Sequence, residues 1–376
     1  MRFFAISASK VTELSGQALA QLQLPASGYL WLSCSRSELE QHLADLQTTL
    51  QRLCALQLVD LHVSDLLNAQ LPSRYDYTSL YDLLVFRRLT TAASTSIPPA
   101  APTAHRGAAP VLHHIDTSPV GFVVLDRLLL TVHPQDCALR DSYAQRLLTA
   151  GNALSADADV PDPRSTGARG VPGSPADLML RLVNHMVDGF LALRRELSHQ
   201  LDHWQAELLN PKSRFANWNM MLAARQSLHQ IDEVCEDQRS AIQDWIEALK
   251  SWPDTDPQSS QHERDMLQVR SRDVLEHIER VVHHVRQLEQ SAETAVQIHF
   301  NAQSHRTNEI MRTLTVLTAV FLPLNLIAGI FGMNFEFIPL LHRNNGFWLA
   351  MAAMALIALG LVLFFWRKRY LERTAR

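Results

Sequence analysis

The amino-acid sequence predicts an α+β membrane protein. It comprises an N-terminal α/β domain, a helical region, and a very long helix that continues into the first of two C-terminal transmembrane helices. Three observations predict this. Two long uncharged apolar runs lie near the C-terminus, glycine is absent from Phe190 through Ala328, and short apolar runs bounded by turn residues recur before residue 135.

Leu314 to Ile330 is apolar apart from Thr315, Thr318 and Asn325, and Phe347 to Trp366 has no charge in twenty residues. A helix needs about 20 apolar residues to cross a bilayer, so both runs are long enough, the first with its flanks included. Arg367, Lys368, Arg369, Arg373 and Arg376 follow the second run, and Arg306 and Arg312 precede the first. The connection between them carries only Arg343, Glu336 and His342. Basic residues favour the cytoplasmic side, so both termini are expected inside and the short loop outside. The lipid bilayer of the inner (cytoplasmic) membrane is then the environment of residues 313–331 and 347–366, with 332–346 as an extracytoplasmic loop and 367–376 as a basic tail.

Residues 1–150 are expected to form the α/β domain. Tyr29 to Cys34 reads as a buried strand, an amphipathic helix follows from about Ser37 to Leu56, and Asp82 to Arg87 reads as another strand. Phe122–Leu125 and Leu128–Val132, separated by Asp126-Arg127, predict a hairpin. Ser94 to Pro110 and residues 151–175 are rich in turn formers and read as surface connections. Residues 176–258 are helical in pattern, an antiparallel pair broken near Asn210-Pro211. Residues 259–312 form the stalk helix, where Val274, Ile278, Val281, Val285, Leu288, Ala292 and Ala295 alternate in steps of four and three. A seam that runs straight into a span suggests a stalk assembled from several copies.

The net charge of −4 and the lack of a basic stripe interleaved with aromatics give no reason to expect nucleic acid as a partner. Four scattered cysteines favour a reducing compartment for the body of the chain. No phosphate loop, nucleophile elbow or metalloprotease helix is present, which argues against an enzyme.

Asn308, Met311, Thr315, Thr318, Leu322, Asn325 and Gly329 share one face of the first span. Polar side chains are costly in lipid and turn toward protein or toward a water-filled cavity. Helix–helix packing accounts for such a face equally well. Two helices have no interior, so transport along this face would require an oligomer.

Gly332-Met333-Asn334, directly after the first span and followed by Phe335-Glu336-Phe337-Ile338-Pro339, resembles the signature of the CorA family of magnesium and cobalt channels. Its setting strengthens the likeness: Leu322-Pro323-Leu324-Asn325 lies before it, and a second span with a basic tail lies after it. Thr307 to Met311 and Arg272-Asp273-Val274 also resemble the family's stalk. The resemblance implies a funnel-shaped homopentamer that moves divalent cations, Mg²⁺ and Co²⁺, through five first spans. Asn308, Met311, Leu314, Thr318, Leu322 and Asn325 would then line the pore. Gly332, Met333 and Asn334 would form the outer mouth, with Glu336 in the outer loop. It also implies regulation by intracellular Mg²⁺ between neighbouring subunits, with Asp273 and Asp65 as acidic ligands and His277 beside them; plain solvated acidity is the alternative. This chain departs from the family at Ser64, where an acidic residue is common, at Leu340 after the loop proline, and at Asn325, frequently a threonine.

Two rival readings remain. A Zn²⁺, Ni²⁺ or Co²⁺ carrier of the same fold is suggested by 17 histidines, including His113-His114, His283-His284, and His199 with His203. The zinc-transporting branch usually alters the middle residue of Gly-Met-Asn, and Met333 is unaltered. A membrane-anchored coiled-coil scaffold would explain the stalk and hairpin but not the asparagines of the span or the loop motif.

Overall fold

The computed structural model describes residues 1–7, 10–14, 18–90, 116–135, 137–156, 170–209, 218–252, 259–333 and 345–368. The chain divides into two compact units, Met1–Ala292 and Glu293–Arg376.

The first unit is built on a seven-stranded mixed sheet. Its strands are β1 (Arg2–Ser7), β2 (Lys10–Glu13), β3 (Tyr29–Ser35), β4 (Arg74–Tyr77), β5 (Asp82–Leu89), β6 (Thr117–Leu125) and β7 (Leu128–His133), in the order β2-β1-β3-β7-β6-β5-β4. The β3–β7 pair is parallel, with Trp31 opposite Leu129 and Leu32 opposite Leu130; all other pairs are antiparallel. Every residue of β3 and β7 is buried, as expected of central strands covered on both faces. Gly28 leads into β3 at φ 89°, and a Cβ there would sit 2.0 Å from the Ile6 carbonyl oxygen, so only glycine fits.

One face of the sheet is covered by α1 (Arg36–Gln41), α2 (Leu43–Cys54) and α3 (Asp60–Leu67). Leu30, Leu32, Leu83, Val85, Val123 and Leu130 meet Leu39, Leu46, Leu50 and Leu66 there. Ser35 starts α1 with a capping box: its hydroxyl accepts the Glu38 N–H at 3.2 Å and its own N–H donates to Glu38 Oε2 at 2.7 Å. The single helix expected over 37–56 is divided at His42, whose backbone leaves helical geometry (φ −116°, ψ 23°). Strands β1, β2 and β4 were not anticipated, since Arg74–Tyr77 and Lys10–Glu13 are polar four-residue edges with no apolar run.

Helix α4 (Ala138–Ala156) runs six residues into the expected 151–175 connection and lies against β2. Helix α5 (Pro175–Leu209) crosses β5, β6, β7 and β3, and α6 (Trp218–Lys250) lies against β4 and β5. Asn210 and Pro211, the expected break between them, lie outside the described residues. Helix α7 (Ser259–Phe331) is continuous over 73 residues and α8 (Gly346–Arg367) over 22.

The apolar seam of α7 is filled within the chain. Val274, Ile278, Val281, Val285 and Ala292 are at most 4% exposed, although only one copy is present. Polar contacts fix the same helices: Ser198 and His284 share a hydrogen bond at 2.8 Å, and Gln205 Nε2 donates to Ser291 Oγ at 2.8 Å. Arg270 pairs with Asp177 at 2.7 Å, and Arg286 donates to Asp232 at 3.0 Å. The heptad pattern therefore marks the packing of α7 on its own α5 and α6, not a seam left open for other copies.

Trp245 joins three elements. Its indole N–H donates to Ser271 Oγ at 3.0 Å, its ring meets the Tyr75 edge at 5.9 Å, and it is wholly buried. Trp245→Ala should cost about 3–5 kcal/mol, because the cavity cannot close from strand and helices together; urea unfolding of the detergent-solubilised protein followed by circular dichroism measures it.

A buried polar chain runs through the sheet core. Trp31 Nε1 donates to Thr131 Oγ1 at 2.9 Å, and the Thr131 hydroxyl donates to the Leu32 carbonyl at 3.3 Å. His133 Nε2 is then the donor to Thr131 Oγ1 at 2.8 Å, leaving Nδ1 to accept from Cys137 Sγ at 3.4 Å. Burial, with Arg140, Arg88 and Arg36 nearby, pushes the His133 imidazole down to about 3. An unfolded histidine titrates near 6.5. The folded state thus binds fewer protons between these values, so stability is complete above pH ~6.5 and declines as pH falls toward 3, by on the order of 5 kcal/mol over the whole window. His133→Gln should be less stable at neutral pH but show a flatter decline between pH 6.5 and 4 in the same unfolding assay.

Candidate functional site

The second unit holds the two apolar spans. Their most apolar stretches are almost wholly exposed within the single chain, as surfaces that meet lipid or other copies must be. Asn308, Met311, Leu314, Thr318, Leu322 and Asn325 all lie on α7 and all are exposed. At 100° per residue, Asn308, Met311, Thr318, Leu322 and Asn325 fall on one arc, with Leu314 at its edge. Thr315 and Thr318 donate their hydroxyl protons to the carbonyls of Met311 and Leu314 at 2.8 and 2.9 Å. Their proton is spent on the helix, so each hydroxyl oxygen presents lone pairs outward.

Helix α7 ends tightly. Gly332 N–H donates to the Ala328 carbonyl at 2.9 Å and Met333 N–H to the Ile330 carbonyl at 3.3 Å. A Cβ at Gly332 would lie 3.1 Å from the Ala328 oxygen, closer than side chains ordinarily come, so glycine eases this closure. Asn334 and Glu336 lie outside the described residues.

The candidate regulatory residues belong to the first unit. Asp65 sits on α3 and is 8% exposed, so it is not a solvated surface acid. Its Oδ2 accepts no hydrogen bond and lies 3.5 Å from Arg74 Nη1. An orphaned, buried carboxylate oxygen is a group suited to a cation. Asp273, on α7, is open to solvent, 3.8 Å from His277 Nε2. Among the described residues no contact joins Asp65 to Asp273 within one chain. The sequence did not single out Arg74, because β4 carried no strand signal that would set Arg74 and Asp76 on one face below α3.

Asp273 borders a pocket of 220 Å³ between α4, α5 and α7, lined also by Tyr143, Arg181, Asn184, Asp188 and Arg270. Burial pushes the Tyr143 phenol up to about 12, so it stays protonated at neutral pH. The histidines divide by role. His284 is held by Ser198, while His199 and His203 are exposed on α5; His113 and His114 lie outside the described residues. Among the described residues no three His, Cys, Asp or Glu side chains form a group able to hold a metal.

Comparison with known proteins bears on the whole chain. Residues 27–369 match the family model described as CorA-like Mg2+ transporter protein. The cobalt/magnesium transport protein CorA of Thermotoga maritima is 27% identical over 201 residues, 52% of each chain. The magnesium transport protein CorA of Haemophilus influenzae is 34% identical over 101 residues, 27% of this chain and 32% of that one. The alignments thus span about half, or less, of these relatives' length. The solved CorA magnesium transporter from Methanocaldococcus jannaschii shares the fold over 98% of both chains, with a TM-score of 0.66 at 19% identity.

Proposed function

This chain belongs to the CorA-like Mg2+ transporter family, and on that premise we propose that it is a channel for divalent cations, Mg²⁺ first and Co²⁺ with it, across the cytoplasmic membrane. The observation that carries the reading is the exposed arc of Thr318 and Asn325 on a span otherwise apolar but for Thr315, continued below the span by Asn308. Such an arc in lipid alone would be costly, and around a shared axis it lines water. A funnel-shaped homopentamer, with five first spans inside and five second spans outside, supplies that axis.

Mg²⁺ gives up its waters reluctantly, so a ring of neutral oxygens that receives a hydrated ion suits it better than a cage of carboxylates. The side-chain oxygens of Asn334 at the outer mouth, and of Asn325 and Asn308 below, accept hydrogens from the hydration shell. Gly332 and Met333 shape that mouth, and Glu336 draws cations to it. Met311 and Leu314 form an apolar constriction, with Leu322 above, that closes by dewetting. Intracellular Mg²⁺ held between Asp65 of one subunit and Asp273 of the next, beside His277, favours the closed state to the extent that it binds that state more tightly.

Asn334→Ala should reduce divalent flux into proteoliposomes by at least an order of magnitude while assembly by size-exclusion is unchanged. Normal flux through the assembled variant would remove Asn334 from the mouth. The same assay run with Mg²⁺, Co²⁺, Ni²⁺ and Zn²⁺ ranks the ions, and no flux of any would favour a scaffold.

Orientation is tested separately. With the four native cysteines replaced, Leu340→Cys should react with an impermeant thiol reagent in intact cells and Tyr370→Cys should not. The reverse pattern would invert the topology.

A further inference from the structure

Asp65 already has a cation beside it, supplied by its own chain. Arg74 and Asp76 stand two residues apart on β4, on the same face of the strand. Arg74 Nη2 donates to Asp76 Oδ2 at 2.9 Å, and that oxygen also lies 3.5 Å from His62 Nε2. His62 is fixed in turn. Its Nδ1 lies 2.8 Å from the Tyr81 hydroxyl, whose oxygen accepts the Val59 N–H at 3.1 Å. Asp76 Oδ1 accepts the Tyr77 N–H at 2.8 Å. The anchor of Arg74 is therefore itself braced from both sides.

The other arm of the guanidinium reaches only partway to Asp65. Nη1 stops 3.5 Å from Oδ2, too far and too poorly aimed for a hydrogen bond, yet near enough to balance much of the charge. Asp65 is thus only partly balanced, by a guanidinium it shares with Asp76, and its Oδ2 accepts no hydrogen bond. A guanidinium fully closed on the carboxylate would occupy its lone pairs, and a carboxylate with no cation near would be costly to bury.

We propose that Arg74 is an intrachain counter-cation that competes with the regulatory divalent ion for Asp65, held back by Asp76 so that the ion can win. This rests on the reading of Asp65 and Asp273 as the Mg²⁺ sensor. Arg74 then sets the concentration at which Mg²⁺ closes the channel, because its positive charge opposes an incoming cation.

The test reads the Mg²⁺ concentration that half-protects the detergent-solubilised full-length protein from chymotrypsin. Arg74→Gln should lower that midpoint about three- to tenfold, the scale of removing one adjacent like charge. Asp76→Asn frees Arg74 to close on Asp65 and should raise the midpoint by a similar factor. Arg74→Lys, which keeps the charge, should stay within about twofold of the parent chain. A merely structural role for this cluster would shift Arg74→Gln and Asp76→Asn in the same direction, and opposite shifts are the signature expected here. Asp273→Lys separates the two layers of the argument. If it leaves the Mg²⁺ response intact, the sensor reading fails and takes Arg74's role with it. If it abolishes the response while the Arg74 and Asp76 variants leave the midpoint unmoved, or move it together, the sensor stands and the competition is overturned. Should Arg74→Gln fail to fold, Asp76→Asn decides alone: a raised midpoint supports the proposal and any other result ends it.

Discussion

The burial of one stripe of α7 against α5 and α6 is the interaction on which the rest of the first unit depends. Val274, Ile278, Val281 and Val285 take the middle of that stripe, and each is essentially inaccessible. Without it the C-terminal part of this unit would be three long amphipathic helices with no common core, and isolated helices gain little from propensity alone. The sheet is tied into the same assembly by Trp245 on Tyr75 and by Gln238, whose side-chain amide donates to the Arg87 carbonyl at 2.7 Å. One run of polar groups inside the sheet is matched from end to end, from Trp31 through Thr131 and His133 to Cys137. That run holds a neutral imidazole between two partners, and its order depends on no charge being admitted.

The same helix changes character along its length. Through the seam its apolar side is covered by its own chain. In the span, its surface is open all round save for Val316 and a few half-covered positions. Burial within the chain cannot explain why Thr318 and Asn325 share an arc there, with Asn308 on the same arc just below. The association of several copies proposed above would give those groups a common environment. Asp65 shows the converse logic, a carboxylate taken out of water and then left short of one partner.

Much of this was legible in the residues. The uncharged runs, the glycine-free stretch and the apolar strands of β3, β5, β6 and β7 follow from hydrophobic patterning, which operates locally. Strand β1 and the edge strands β2 and β4 did not announce themselves, because their residues alternate weakly or run too short to carry a pattern. The heptad seam was visible but its partner was not: period identifies a buried stripe without saying which chain covers it. Asp65 was found by resemblance, whereas its burial and its contact with Arg74 depend on the placing of α3 over β4. No spacing rule encodes that placement.

The closure of the seam within one chain also orders events in the cell. Synthesis reaches Ala292 before it reaches the first span at Leu314, and by then every helix that covers the stripe has been made. The core of the larger unit needs no sister molecule to close. What such a body would still offer to lipid or to other chains is the surface it shows, not the core it hides.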